Sequence, residues 1–299
     1  MAYLLGAPAS AKRSKEPRVA SLRLGFNPNL NPVSRRRLHE GLREVVDVAV
    51  RLEYGVVELS LTTSMYELGL RTIFDSHAIE ILQSAPIQFH LNVFNDSEVR
   101  EWPTLSDINA YTRSIALRQF VQIVEFFEHR HPMGMYVVHP GRRIASDSTH
   151  LDSMRESFIT LHTLFPGLPI AIENTREGAV LSEIDSVLSM LDTSPDIRFA
   201  LHTGHAFHSV DSDPIAFEIR MDYLQKFADR LAEIRWHNTA PGKTPSVPLH
   251  VALERGLDIT KLMGVIGRNP GTIHMIDTVG LNPVALLREA RTLHRAIAR

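Results

Sequence analysis

The chain has no cysteine. Disulfides, thiolate zinc sites and thiol nucleophiles are excluded, so a transition-metal site would have to rest on imidazole and carboxylate. No run of 18 apolar residues occurs, so no transmembrane helix is expected. Neither sign of charge dominates. Lys and Arg number 32 against 34 Asp and Glu, a net charge of −2, which gives no global pull toward nucleic acid or an anionic membrane. No Gly-rich phosphate loop follows the first apolar run. The opening "MAYLLGAPASAKRSKEPR" has its apolar part before its basic part, the reverse of a secretory signal. Residues 1–18 read as a flexible tail, and a cytoplasmic enzyme is the expectation.

What the chain does have is length, apolar content and histidine. Its 299 residues are 44% apolar, enough for one large core, and 15 are histidines. Eight short β-rich runs alternate with amphipathic helical patterns. The runs are 21–26, 55–61, 87–94, 134–140, 169–175, 197–203, 231–238 and 272–278. Helical periodicity marks 149–164, 180–192, 214–230 and 282–297, and more weakly 70–84 and 257–267. Eight strands each followed by a helix predict a single-domain α/β fold, the (β/α)8 TIM barrel, over 19–299. A doubly wound open sheet usually has fewer strands at this length.

Strand parity adds detail. In "PIAIENT" Ile170 and Ile172 face the helices, while Ala171 and Glu173 face inward. In "LAEIRWHN" Ile234 and Trp236 face out, and Glu233, Arg235 and His237 face in. The runs end in chemistry: near His90 for the third, then at His139, Glu173, His202, His237 and Asp277. In a barrel such positions converge on one mouth, where N and O donors suit zinc, manganese, iron or cobalt. One histidine at a strand end is usually structural; six equivalent donors point to a metal site. His39, His129, His131, His150, His162 and His294 lie on helical or loop stretches. His274 has the parity opposite to Asp277 and should face the helices.

The order "FHLN", "VVHPG", "IAIENT", "LHTGHAF", "IRWHN", "HMIDT" resembles the xylose isomerase-like TIM-barrel superfamily, in particular its endonuclease IV (AP endonuclease family 2) branch. The resemblance implies one to three divalent ions. His90 and His139 would hold a first, Glu173 would bridge to a second, and His202, His237 and Asp277 would complete it. His205 and His250 match ligands of a third metal in the nuclease branch; in the isomerase branch the residue at His205 touches substrate. Glu58 matches a polar active-site position. Three residues depart from the pattern: His202 stands for a usual Asp, Asp277 for a usual Glu, and Pro248 for the Asp of the third metal.

Two functions follow as expectations. The first is a metal-dependent isomerase or epimerase on a sugar-like hydroxy-carbonyl compound, with or without phosphate. Glu173, His205 and Asp277 would do the catalysis, and Glu58, Arg142, Arg143 and Lys243 would bind substrate. The second is an endonuclease IV-like phosphodiesterase, which Pro248 and the scarcity of basic clusters disfavour. A histidine-rich iron oxygenase stands behind both. The expected partner is a small polar or anionic substrate, with DNA the alternative under the second function, and no membrane. Homo-oligomers are common among the isomerase-like relatives.

Overall fold

Successive parallel strands pair in chain order, and the last closes on the first. They are β1 (Arg23–Phe26), β2 (Val56–Leu61), β3 (Gln88–Val93), β4 (Met135–Val138), β5 (Ile170–Glu173), β6 (Arg198–His202), β7 (Leu231–Trp236) and β8 (Ile273–Ile276). The computed structural model describes residues 23–28, 35–93, 103–141, 148–175, 180–206, 213–237, 271–277 and 283–297. The expected tail 1–18 and the expected helix 257–267 lie outside the described residues.

Helices fill the crossovers. α1 (Arg35–Arg51) follows β1, and α2 (Thr63–Leu68), α3 (Leu70–Ile73) and α4 (Ser76–Ser84) follow β2. Next come α5 (Ala110–Glu128), α6 (Ser148–Leu164), α7 (Ile184–Leu191) and α8 (Asp213–Phe227), one after each of β3 to β6. α9 (Pro283–Ile297) follows β8. The segment 70–84, expected as one helix, is two. Asp75 accepts the Ala78 N–H at 3.1 Å and restarts the chain as an N-cap, satisfying a donor that a continuous helix would have bonded internally. Among the described residues no helix is long and apolar enough to cross a membrane.

Parity works out as the sequence implies. Ile170, Ile172, Ile234 and Trp236 pack in the large apolar layer between strands and helices. His274 joins them on the outside, accepting the Trp236 Nε1–H at 3.2 Å. Ala171 faces inward with Met135, Val137 and Ala200. Among the described residues Val56, Ile273 and Met275 form a second small apolar cluster. Glu58, Ser60, His90, Asn92, Glu173, Glu233 and Arg235 are buried. So many buried polar groups are tolerable only as a connected network, and they form one at the end where the site lies.

Candidate metal centre

The β-ladders run on past the strand ends and set the rim side chains. His139 follows β4 directly, its N–H bonded to the Val93 carbonyl at 3.1 Å. Asp277 follows β8, its N–H on the Trp236 carbonyl at 3.3 Å. His237 follows β7 and is clamped by Thr203, whose Oγ1 accepts the His237 N–H at 2.9 Å and donates back to the His237 carbonyl at 2.8 Å. His205 stands in a turn closed by Ala206 N–H on the His202 carbonyl at 3.1 Å. The side chain of Asn174 holds the end of β6, accepting the His202 N–H at 2.7 Å and donating to the His202 carbonyl at 3.2 Å.

Two groups of donors result. In each, one ligand atom per residue lies within 4.8 Å of the others: His139, Glu173 and His205 in one, His202, His237 and Asp277 in the other. Ligand atoms on one zinc ion, each about 2.0–2.2 Å from it, stand roughly 3–3.5 Å apart, so small side-chain adjustments suffice. Either group could hold a divalent metal. The donor set of imidazole and carboxylate suits zinc, iron, cobalt or manganese better than magnesium.

The hydrogen bonds of the rings separate His205 from His202. A neutral histidine that ligates through one nitrogen carries its proton on the other, usually given to a carbonyl. His205 has this arrangement, with Nδ1 on the Asn174 carbonyl at 3.0 Å. His202 has the reverse. The His205 backbone N–H meets His202 Nδ1 at 3.1 Å, so the neutral ring carries its proton on Nε2, which lies 3.1 Å from His237 Nδ1. A flipped ring would set C–H against N–H. Coordination through His202 Nε2 would therefore cost both contacts. His139 likewise takes the Gly141 N–H at Nδ1, 3.2 Å, and would give up that bond to coordinate through Nε2. His202 also stacks on His205 at 3.8 Å between ring centres. Burial, and after it the neighbouring His205, His237, Arg235 and His139, hold the His202 pKa well below the ordinary histidine range.

Beneath both groups lies Arg235, 2% exposed. Its Nη1 bonds Glu173 Oε2, and its Nη2 lies 2.9 Å from Glu58 Oε1 and 3.1 Å from Asp277 Oδ2. Asn27 and Asn92 also donate to Glu58 Oε1, at 3.0 and 3.4 Å. Burial pushes Glu58 up to about 8 against the pull of Arg235, and pushes Glu233 up to about 7. Two buried carboxyls thus hold their protons toward neutral pH beside a guanidinium that never loses its own.

A carboxyl whose folded pKa stands above its ordinary value of 4.5 costs stability progressively as the pH rises from about 4.5 to about 8. Glutamine carries no such cost. Relative to wild type, Glu58→Gln is expected to gain roughly 2–4 kcal/mol of stability between pH 5 and pH 8. Urea unfolding at the two pH values measures it, and a difference that does not change with pH would contradict it.

The structure brings together five of the six expected rim donors, together with His205. His90 is not among them. β3 runs on to Val93, so His90 sits mid-strand, in register with Glu58, with Nδ1 3.2 Å from Glu233 Oε2. Burial holds it down to about 4, a neutral imidazole inside the barrel. Its parity is right and its depth is not. Glu58 is likewise fully buried, with Oε1 2.9 Å from Arg235 Nη2. Glu173, expected to bridge two ions, has Oε2 engaged by Arg235, with Asn92 Nδ2 at 3.4 Å. Arg142, Arg143, Lys243, Pro248 and His250 lie outside the described residues. Sequence reasoning placed Arg235 inside the barrel but gave it no role, and it passed over Asn174 and Asn92, for which no spacing signal exists.

No family model matches the chain, and no curated protein matches it. Its fold is shared with solved structures. An AP endonuclease, family 2, from Brucella melitensis aligns with a TM-score of 0.63 at 15% identity, over 91% of this chain and 99% of that one. A xylose isomerase-like TIM barrel/4-hydroxyphenylpyruvate dioxygenase fusion protein aligns with a TM-score of 0.64 at 11% identity, over 93% of this chain and 43% of that one. A probable 3-DHS dehydratase, AsbF, from Bacillus anthracis aligns with a TM-score of 0.57 at 12% identity, over 91% and 99%. At these identities the likeness is one of fold, and the fold is the expected (β/α)8 barrel.

Proposed function

We propose that this barrel is a metal-dependent enzyme that moves a proton on a small hydroxy-carbonyl compound, as an isomerase or epimerase does. The observation that carries the reading is the pair of imidazole–carboxylate groups at the mouth, one in which His205 has the hydrogen bonding of a metal ligand and one with N–H groups and a carboxylate. A divalent ion held by His139, Glu173 and His205 would supply polarisation of neighbouring substrate oxygens.

The protein's own residues do the rest. Asp277, at 16% side-chain exposure, is more open to the mouth than Glu173 at 1%, and Arg235 orients it from below. It takes the proton from the carbon beside the carbonyl and returns it to the neighbouring carbon, or to the opposite face of the same one. His202 gives its Nε2–H to His237 Nδ1, which sets the His237 proton on Nε2, and His237 donates it to developing negative charge on oxygen. Arg142, Arg143 and Lys243 are the candidates for holding an anionic group on the substrate. A xylose isomerase-like barrel and a dehydratase among the fold relatives are compatible with proton chemistry of this kind.

A second reading, phosphodiester hydrolysis, draws on the presence of two donor groups side by side and on the AP endonuclease fold relative. One experiment separates them. The protein, loaded in turn with Zn²⁺, Mn²⁺, Fe²⁺ and Co²⁺, is incubated in heavy water with a panel of ketoses and ketose phosphates, and in parallel with duplex DNA holding an abasic site. Metal-dependent deuterium uptake at the carbon beside the carbonyl is the expected result. Strand cleavage without exchange would replace the first reading by the second.

A further inference from the structure

We propose that Arg235 is a positioning residue that limits this mouth to one divalent ion, on the His139–Glu173–His205 side, and keeps the His202–His237–Asp277 side free of metal for proton handling. This rests on the reading that the mouth holds a metal. The guanidinium forks between the two carboxylates that the groups would use. Its Nη1 takes Glu173 Oε2, and the other oxygen, Oε1, is left beside His205, 3.7 Å from Nδ1. Its Nη2 takes Asp277 Oδ2 at 3.1 Å, the oxygen that stands 3.8 Å from His202 Nε2. Arg235 thus occupies the carboxylate oxygen facing one group and spares the oxygen facing the other.

Charge and ring chemistry act in the same direction. Arginine stays protonated at any working pH, and here it is buried where water screens it poorly. A second dication beside Asp277 would face that fixed cation at short range. It would also meet His202 Nε2 in its protonated form, because the His205 backbone N–H holds Nδ1. On the other side Arg235 takes the Glu173 oxygen turned away from the group, and His205 there already has the tautomer that a ligand needs.

The test counts ions. Wild type, Arg235→Gln and Arg235→Lys are dialysed against Zn²⁺ or Mn²⁺, and bound metal per chain is read by elemental analysis and native mass spectrometry. The count expected for wild type is one. Arg235→Gln, without the cation, is expected to take a second ion at the same free metal; Arg235→Lys, which keeps the charge, to stay at one. A purely structural role for Arg235 would not raise the count. His205→Asn should lose the wild-type ion, and His237→Asn should keep it. Two ions in wild type, a second ion in Arg235→Lys, an unchanged count and affinity in Arg235→Gln, or loss of the ion in His237→Asn would each overturn the proposal while leaving metal dependence standing. If Arg235→Gln does not fold, the other three variants and wild type still decide. No ion in wild type but one in Arg235→Gln would overturn the metal reading for the native chain and uphold Arg235 as the excluding cation. No ion in either would overturn both.

Discussion

Glu173→Gln is expected to lose most of its bound metal and at least about 100-fold in turnover, the scale on which one polarising interaction acts. The amide keeps the shape of the side chain and removes the charge. Glu173 Oε1 is the oxygen on the His205 side, and its partner Oε2 makes the bond that steadies Arg235. Removing one member of a buried charge pair costs about 3–5 kcal/mol. Here the cost should fall at the low end, because Asp277 still faces the guanidinium and Glu58 still accepts a hydrogen bond from it. The variant should therefore stay folded, with a lower melting temperature, while its metal content collapses. Glu173→Asp keeps the charge and should retain part of both. Elemental analysis and circular dichroism on the three proteins check this. Full metal occupancy in the glutamine variant would remove Glu173 from the site.

His202→Asp is expected to gain a metal ion rather than merely exchange one. A carboxylate has two acceptor oxygens, so it can take the His205 N–H on one and still offer the other to a cation. A neutral imidazole with Nδ1 so engaged cannot. The variant also adds negative charge beside Arg235 and a harder ligand, which should shift preference toward Mn²⁺ or Mg²⁺. It loses the 3.8 Å stack on His205 and the Nε2 contact with His237, so turnover should change by at least about tenfold, the equivalent of some 1.4 kcal/mol. Metal content and rates for both proteins under the same set of divalent ions give the answer. Identical preference, count and rate would make His202 a bystander of the mouth.

The barrel and most of its rim were legible from the residues because the signals are local. A period of two marks strands, a period of 3.6 marks helices, and the residue at the end of a strand is named by counting. That is why His139, Glu173, His202, His237 and Asp277 stand at strand ends, and why Ile234 and Trp236 face the helices. Depth was not local. His90 has the inward parity of a rim residue, but where β3 stops relative to β2 and β4 is a matter of register between strands, which pairs His90 with Glu58 far below the mouth. The tautomers of His202 and His205 depend on a turn geometry that brings a backbone N–H onto a ring.

The sequence by itself determined the eightfold alternation, the inward and outward faces of each strand, and the identity of most donors at the strand ends. Only the tertiary structure decided what those donors can do. Arg235 and Glu173 stand 62 residues apart in the chain, and Arg235 and Asp277 stand 42 apart. Their contacts exist because a closed sheet carries β5, β7 and β8 around one axis, and no periodicity along the chain encodes a distance across it. An ion pair depends on that distance, and a buried one depends on it steeply, because little water is left to screen the charges.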